Sequence, residues 1–344
     1  MSRDLTSKKS IGTFLIDNAI FFVMLALLMA FVAKNNSFLS LTNLSNILSQ
    51  ASTGIIIALG VAGLIVTQGT DLSAGRMVGL AAVVSGSLMQ SSTNMNRMYE
   101  SLPPILANQW IVVAILVACL ICGALGYLNG WVIAKLKVPP FIMTLGSMIV
   151  IFGLSLMYID REPNGAQPVG GLAPHFESFA QGGFMLGEFR LPYLVIYAAV
   201  TTVLMWILWN KTRFGKNMFA IGGNPEAAAV SGVNIDKTLI AAYTLAGVLY
   251  GFAGTLEVAR VGSATNNTGN MYELDAIAAC VVGGVSFSGG VGKIGGVVIG
   301  VLMFQLINYG LSFSDVNQSY QYVIKGMIIV AAVAIDMRKY LKKK

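Results

Sequence analysis

Charged side chains are scarce in this sequence. They make up 11% of the 344 residues, whereas an ordinary soluble domain carries about 25%. Hydrophobic residues account for 56% of the chain, and the mean hydropathy is +0.73. The composition therefore excludes a typical soluble domain and predicts a polytopic membrane protein.

Residue types that bind metals or form disulfides are also few, with one histidine and three cysteines. Cys119 and Cys122 are spaced as C-x-x-C, but they lie in an apolar run with no other soft ligand nearby. Cys280 lies in a second apolar run. We interpret all three as packing residues, so the sequence predicts neither a metal site nor a disulfide.

Motifs for nucleotide chemistry are missing as well. The dipeptide Gly-Lys occurs twice, but the next residue is Asn217 or Ile294, where a phosphate-binding loop has Ser or Thr. We therefore expect that the chain cannot hydrolyse ATP by itself.

The apolar runs also lack the series of Asp, Glu and His that is typical of ion-coupled transporters. Asp71, Glu273 and Asp275 fall at predicted helix starts, where they complement the helix dipole. Lys325 either extends its stem towards the membrane surface or has a role in the pathway. These features favour an uncharged solute and an energy source outside the chain. Polar uncharged residues near the spans suit a hydroxyl-rich solute: Gln50, Gln68, Asn129, Gln305 and Asn308.

Apolar runs are abundant, and they predict helices rather than a β-barrel. The run "WIVVAILVACLICGALGYL" is apolar on every face, without the alternation of a barrel strand. A helix needs about 20 such residues to cross a bilayer. The sequence therefore predicts an all-α fold of about ten transmembrane helices, near 17–33, 52–67, 72–90, 108–134, 141–158, 191–209, 239–259, 272–285, 291–309 and 320–336.

The distribution of Lys and Arg predicts the orientation of these helices. Basic residues crowd cytoplasmic loops, and with a cytoplasmic N-terminus the inner segments hold fourteen of the 22: Arg3, Lys8, Lys9, Lys135, Lys137, Lys211, Arg213, Lys216, Lys237, Arg338, Lys339, Lys342, Lys343 and Lys344. Both termini are then cytoplasmic. Within a single transmembrane domain of residues 1–344, residues 210–238 form a cytoplasmic loop and residues 159–190 an external one. This topology explains the net charge of +7, so no nucleic-acid partner is expected.

The external loop contains several prolines and glycines, which predict irregular structure with at most a short helix near Pro174 to Gln181. It is either a docking surface for an external partner or a solvated connection.

Elsewhere, glycines recur at four-residue spacing: Gly75/Gly79, Gly126/Gly130, Gly247/Gly251 and Gly296/Gly300. Such pairs let helix backbones approach closely, and we expect packing faces inside the chain or a subunit interface.

Two segments share the pattern G-x-x-x-S-[AG]-G, namely "GTDLSAG" (69–75) and "GVSFSGG" (284–290). They lie in short, glycine-broken helix pairs at corresponding places in the two halves of the chain. Paired interruptions of this kind point to a transport pathway, and the candidate residues are Asp71, Ser73, Gly75, Ser288 and Gly290. A compatible alternative is two tight turns, with Asp71 and either Ser286 or Ser288 as helix N-caps.

A polar, alanine-rich island stands between two apolar runs: "GGNPEAAAVSGVNIDK" (222–237). Asn224 is a good N-cap, Pro225 suits the first helical position, Glu226 complements the dipole and Gly232 suits the position after the C-cap. The pattern predicts a seven-residue helix. Isolated helices need about 12–15 residues to be even marginally stable, so this one requires packing or a partner.

The segment "EAAAVSG" resembles the cytoplasmic coupling loop of ABC-importer permeases, the membrane subunits of binding-protein-dependent uptake systems. Three longer stretches are similar to the sugar branch of that superfamily, and within it to permeases for galactose and methyl-galactoside: "VTQGTDLSAGR", "TRFGKNMFAIGGNPEAAAVSGVN" and "GSATNNTGNMYELDAIAACVVGGVSFSGGVG". The likeness extends along essentially the whole chain. The coupling pattern is otherwise followed downstream by a proline, which "LIAAYTLAG" lacks.

The resemblance implies a multi-pass permease of the bacterial inner membrane that is not an enzyme. It implies a homodimer of ten-helix chains, a separate ABC ATPase at the cytoplasmic face and a periplasmic sugar-binding protein at the outer face. No cofactor is expected on this chain, since ATP and Mg would bind the ATPase. The coupling residues would be Asn224, Pro225, Glu226, Ala227, Ala228 and Gly232.

Asn266 and Asn267 lie on the predicted outer side, where they either meet a released sugar or form a polar turn. An ion-coupled carrier of a neutral polar solute is the alternative function, and an intramembrane enzyme has little support because no cluster of acids, histidine or nucleophiles is evident.

Overall fold

The computed structural model describes residues 19–99 and 109–341. This part is mostly helical, with one short β-hairpin. Six of the basic residues used in the charge count lie outside it: Arg3, Lys8, Lys9, Lys342, Lys343 and Lys344.

The helices follow one another with short connections. In chain order they are α1 (Ala19–Lys34), α2 (Leu41–Val66), α3 (Ala74–Leu88), α4 (Gln109–Leu136), α5 (Pro140–Asp160), α6 (Pro174–Gln181), α7 (Tyr193–Lys211), α8 (Arg213–Gly223), α9 (Pro225–Val230), α10 (Ile235–Val261), α11 (Tyr272–Val282), α12 (Ile294–Phe313) and α13 (Gln318–Leu341). A 3-10 turn covers Asn36–Leu39.

A helix lies at each of the ten positions that the sequence predicts as spans. Among the described residues, six helices are long and apolar enough to cross a membrane: α2, α4, α5, α7, α10 and α12. Two others, α3 and α11, have 15 and 11 residues. At 1.5 Å per residue these two are about 22 and 16 Å long, shorter than the roughly 30 Å hydrocarbon core of a bilayer.

Helices α2 and α10 form the centre of the bundle. In their most apolar windows, 83% of α2 residues and 61% of α10 residues are buried inside the chain, against 22% for α5 and 28% for α7. Helix α3 packs against α10 and is also largely buried. The central helices are therefore covered by protein, whereas α5 and α7 leave wide apolar faces uncovered.

Helices α4 and α10 pack along two of the predicted glycine pairs. A methyl group on Gly126 would overlap the Tyr243 carbonyl oxygen, and one on Gly247 would overlap the Cys122 carbonyl oxygen. The two glycine pairs are thus the opposing faces of one helix crossing. The remaining pairs pack in the same way, Gly75/Gly79 on the turn at residues 268–269 and Gly296/Gly300 on α11. The prediction of internal packing faces is confirmed.

The connections contain one predicted helix and two elements that the sequence did not reveal. In the loop of residues 159–190, the predicted short helix is α6. The loop also contains a hairpin in which β1 (Gly183–Leu186) pairs antiparallel with β2 (Phe189–Pro192). Helix α8 has three glycines, which made it resemble a loop, but Thr212 caps it by accepting from the Gly215 N–H at 3.2 Å.

Candidate functional site

The short helix α9 forms with both of its predicted caps. The Asn224 side chain accepts from the Ala227 N–H at 2.9 Å. At the other end Gly232 has φ +82°, its N–H donates to Ala229 O at 3.0 Å, and the Val233 N–H donates to Ala228 O at 3.0 Å. This is a Schellman motif, which explains the need for glycine. The helix has six residues rather than seven, because Ser231 is already its C-cap.

Most of α9 is exposed. Of its residues only Ala228 is buried, and the Val230 side chain is 92% exposed. Helix α9 therefore presents nearly all of its surface to solvent. The chain leaves α9 through residues 231–234, and Asn234 caps α10 by accepting from the Lys237 N–H at 2.9 Å. A proline is therefore not required for this exit.

Just before α9, three backbone segments meet at a contact that we name the glycine junction, formed by Val66, Gly222, Gly289 and Gly290. A methyl group on Gly222 would overlap the Val66 carbonyl oxygen. The Gly290 N–H donates to that oxygen at 2.9 Å. Three segments thus touch through main-chain atoms, so the last residues of α8, the end of α2 and the second G-x-x-x-S motif are in direct contact.

Gln68 connects the same segments through its side chain. Its Nε2 donates to Gly222 O at 2.9 Å and to Ser288 O at 3.2 Å. Its backbone has φ +63°, which is uncommon outside glycine. We interpreted Gln68 only as a polar group near a span, because the partners lie more than 150 residues away in the chain.

The first motif is buried rather than open. Asp71 and Ser73 are 1% and 0% exposed. Asp71 Oδ1 accepts from the Ser73 N–H at 2.9 Å and from Ser73 Oγ at 2.5 Å, while Asn129 Nδ2 donates to Ser73 Oγ at 3.2 Å. Unwound backbone at this depth has its polar groups satisfied within the protein.

The N-cap alternative for the two motifs is wrong. Helix α3 begins at Ala74 with Ser73 as N-cap, and Asp71 closes a turn two residues ahead of that position. Helix α12 begins at Ile294 with Lys293 as N-cap. Ser286 and Ser288 precede it by several residues, so they do not cap it.

The other pathway candidates lie in two parts of the structure. A methyl group on Gly75 would overlap Gly269 O, so this glycine serves close packing. Asn266 O accepts from Arg76 Nη1 at 3.3 Å, and the Asn267 N–H donates to Thr265 Oγ1 at 3.1 Å in an exposed turn. Gly75, Asn266 and Asn267 therefore lie near the start of α3, whereas Gly290 lies at the glycine junction and Ser288 O accepts from Gln68 beside it.

Two ion pairs lie in the bundle where few charges were expected. Glu257 Oε1 pairs with Arg260 Nη2 at 2.6 Å, and the Glu257 side chain is 3% exposed. Lys325 Nζ pairs with Asp275 Oδ2 at 3.0 Å. The expectation that Lys325 extends to the membrane surface is wrong, because a carboxylate lies within its reach. Glu257 was missed, although an acid inside an apolar helix is itself a functional signal.

Comparison with known proteins shows the family to which the chain belongs. A family model described as "Branched-chain amino acid transport system / permease component" matches residues 43–333. The chain belongs to this permease family. The family is one of membrane transport components, so this permease is a multi-pass membrane protein and a transport subunit rather than an enzyme.

Several curated relatives match this permease over nearly their whole length. The galactose/methyl galactoside import permease protein of Haemophilus influenzae is 58% identical over 327 residues, 95% of this chain and 96% of the relative. The Escherichia coli K12 protein of the same name is 57% identical over 338 residues, 98% and 99% of the two chains. The ribose import permease protein of Bacillus subtilis is 38% identical over 307 residues, 89% and 88%. No solved structure matches the chain significantly. The resemblance to sugar-importer permeases is confirmed.

Proposed function

We propose that this permease is the membrane-spanning subunit of an ATP-driven, binding-protein-dependent importer of galactose and methyl-galactoside. The family description mentions branched-chain amino acids, but relatives at 57% and 58% identity over almost the full length are named for galactose and methyl galactoside. The scarcity of charge in the sequence favours a neutral solute over a zwitterion.

The proposal includes ten crossings, cytoplasmic termini and the bacterial inner membrane. One end of the bundle supports this orientation. Lys135 and Lys137 lie 2.9 and 3.0 Å from Asp236, just after α9 in the chain. The helix ends near α9 are thus rich in basic residues, as expected for a cytoplasmic face.

A second copy of the chain is proposed to complete the pathway. Helices α5 and α13 leave apolar side chains uncovered, including Ile149 at 63%, Met157 at 74% and Val330 at 69% exposure. Lipid and a second copy can both cover such faces, and the resemblance to dimeric importers favours the copy for part of them.

The exposed helix α9 is the observation that carries the mechanism. A separate ABC ATPase, which holds ATP and Mg, is proposed to dock on Pro225, Glu226, Ala227 and Val230. Closure of its nucleotide sites displaces α9, and the glycine junction passes the displacement to the end of α2 and to residues 284–290. The glycine-broken segments thereby open the pathway alternately to the two sides, and a periplasmic sugar-binding protein delivers the solute.

The source of energy tests this proposal against an ion-coupled carrier. We expect galactose uptake into proteoliposomes that contain the permease, its ATPase and its binding protein only when ATP is supplied. Uptake by the permease alone, driven by a proton or sodium gradient, would contradict the proposal.

A charge reversal tests the docking surface itself. Glu226 is an exposed carboxylate in the first turn of α9. Glu226→Lys loses only about 0.3–1 kcal/mol of dipole interaction, so the permease should reach the membrane. It should lose ATPase copurification and ATP-driven uptake, whereas Glu226→Asp keeps the charge and both activities. Normal copurification and uptake by Glu226→Lys would show that α9 is not the docking surface.

A further inference from the structure

A polar cavity of about 360 Å³ lies inside the bundle between α2, α10, α11, α12 and α13. It is near the lower end of the roughly 300–1,000 Å³ found for ligand sites and is much larger than the roughly 30 Å³ that a water molecule occupies. None of the seven pathway candidates lines it. It is therefore a site that the motifs of the sequence did not indicate.

The charges around this cavity cancel. Glu257 and Arg260 form one pair, and Asp275 and Lys325 form the other, so two carboxylates face two cations. Each carboxylate has further donors. Thr53 Oγ1 donates to Glu257 at 3.0 Å, Tyr272 OH donates to Glu257 at 2.8 Å, and Asn308 Nδ2 donates to Asp275 at 3.4 Å. A charged ligand would leave an unpaired charge in a low-dielectric site, whereas a neutral one would not.

Several amide groups in the wall offer hydrogen bonds to a ligand. Asn308 Oδ1 is buried and has no partner among the residues that the structure describes. Burying such an acceptor unpaired costs about 1–3 kcal/mol, and a ligand hydroxyl recovers this only if the Asn308 amide turns its oxygen towards the cavity. Gln305 Nε2 donates to Gln50 Oε1 at 2.7 Å, and the two amides carry further donors and acceptors.

Apolar and aromatic groups complete the wall. Ile57, Val301, Phe304 and Tyr309 line the same cavity. A pocket that combines apolar surface with a few convergent polar groups is typical of a small-molecule site. A sugar ring has both properties, because it presents hydroxyls at its edge and C–H groups on its faces.

A second polar cavity of about 250 Å³ adjoins the first and shares Gln50 and Arg260 with it. It is lined by Gln181 of α6 and by Arg190 and Pro192 of β2, in the loop proposed to be external. The smaller cavity thus lies between that loop and the larger one. Gln50 and Arg260 stand at the boundary, where a solute from the outer face would pass.

We propose that the larger cavity binds one neutral, hydroxyl-rich molecule of monosaccharide size, which enters through the smaller cavity. The cancelling charges, the amide side chains in the wall and the smaller cavity that adjoins it carry this inference. The choice of galactose as the probe and the entry from the outer face rest on the proposed function. The site lies within a single chain, so it does not depend on the dimer interface.

Cysteine labelling of the permease–ATPase complex in nanodiscs tests the site directly. Asn308→Cys, or Gln305→Cys if the first variant does not assemble, would be labelled with a small neutral methanethiosulfonate and analysed by peptide mass spectrometry. At a galactose concentration ten times the Kd, the labelling rate should fall about tenfold, since the unoccupied fraction is 1/(1 + [L]/Kd). Met95→Cys, at a side chain that is 95% exposed and lines neither cavity, should be labelled at the same rate with and without galactose.

The choice of solutes separates this inference from the proposed function. Galactose and ribose should protect, and galacturonate, which carries a negative charge, should protect less. If the wild-type complex imports galactose but neither neutral sugar protects either cysteine, the cavity proposal is overturned and the proposed function stands. If the complex does not import galactose but a neutral sugar protects, the proposed function fails and the cavity proposal stands.

Discussion

The glycine junction and the polar cavity lie about 20 Å apart along α2, the distance from Thr53 to Val66 at 1.5 Å per residue, and they are built in opposite ways. At the junction, three segments touch through backbone atoms, and a single methyl group has no room. In the cavity, long charged and amide side chains surround about 360 Å³ of open space. One end of the molecule is packed for contact between segments, and the other is shaped to hold a solute.

Adding one methyl group to the junction should give the largest effect. The Gly222 to Ala substitution places a carbon in overlap with Val66 O and beside Gly290 N. Because backbone atoms cannot move aside cheaply, we expect a loss of about 4 kcal/mol or more in the free energy of unfolding. The neighbouring Gly223 is the matched control, since a methyl group there meets nothing within 4 Å.

The measurement is thermal or denaturant unfolding of both variants in detergent, together with the amount in the membrane. Gly223→Ala should resemble the wild type. Equal stability of Gly222→Ala and Gly223→Ala would mean that the junction is not tightly packed.

Removing one charge from the cavity should have the next largest effect. Arg260→Met leaves the Glu257 carboxylate, 3% exposed, without its cation. Breaking a buried pair in this way costs about 3 kcal/mol. By contrast, Lys135 is 51% exposed in its pair with Asp236, and Lys137 remains to pair with that acid.

Lys135→Met is therefore the control and should cost less than about 1 kcal/mol. Both variants would be compared by unfolding in the same detergent. If both variants lose a similar, small amount of unfolding free energy, the Glu257–Arg260 pair in the cavity is as well solvated as a surface pair.

The smallest effect is expected at the C-terminal end of α9, where space is open but the backbone is constrained. Gly232 has φ +82°, and a methyl group there meets nothing within 4 Å. Gly232→Ala should cost about 1 kcal/mol through the left-handed conformation alone. Gly232→Asn should cost less, because Asn adopts this conformation more readily. If unfolding measurements show that Gly232→Asn is less stable than Gly232→Ala, the role of Gly232 is not purely conformational.

Local signals in the sequence predicted the elements of the molecule well. Asn224, Pro225 and Gly232 mark the ends of α9 because capping depends on residues within one turn. The glycine pairs correctly predicted close helix packing, and Pro174 marked the start of α6. Helix α8 was not predicted, because Gly215 is typical of a loop, whereas in the structure it packs against the preceding helix α7.

Contacts between distant residues could not be predicted in the same way. Gln68 and Ser288 are 220 residues apart, and Lys325 and Asp275 are 50 apart, so no periodicity relates them. Glu257 is different, since its position inside an apolar helix was visible. Of its partners, only Arg260 is close in the sequence. The sequence therefore could not show whether Glu257 is isolated or belongs to a hydrogen-bond network.

The backbone contacts at the glycine junction have one mechanical consequence. Glycines have no χ angles, so there is no rotamer change at Gly222, Gly289 or Gly290 that could absorb a displacement. When Gly222 moves, the peptides of Val66 and Gly290 must move with it or separate from it. The junction therefore couples the three segments directly through their backbones, and a shift of Gly222 that keeps these contacts also shifts Val66 and Gly290.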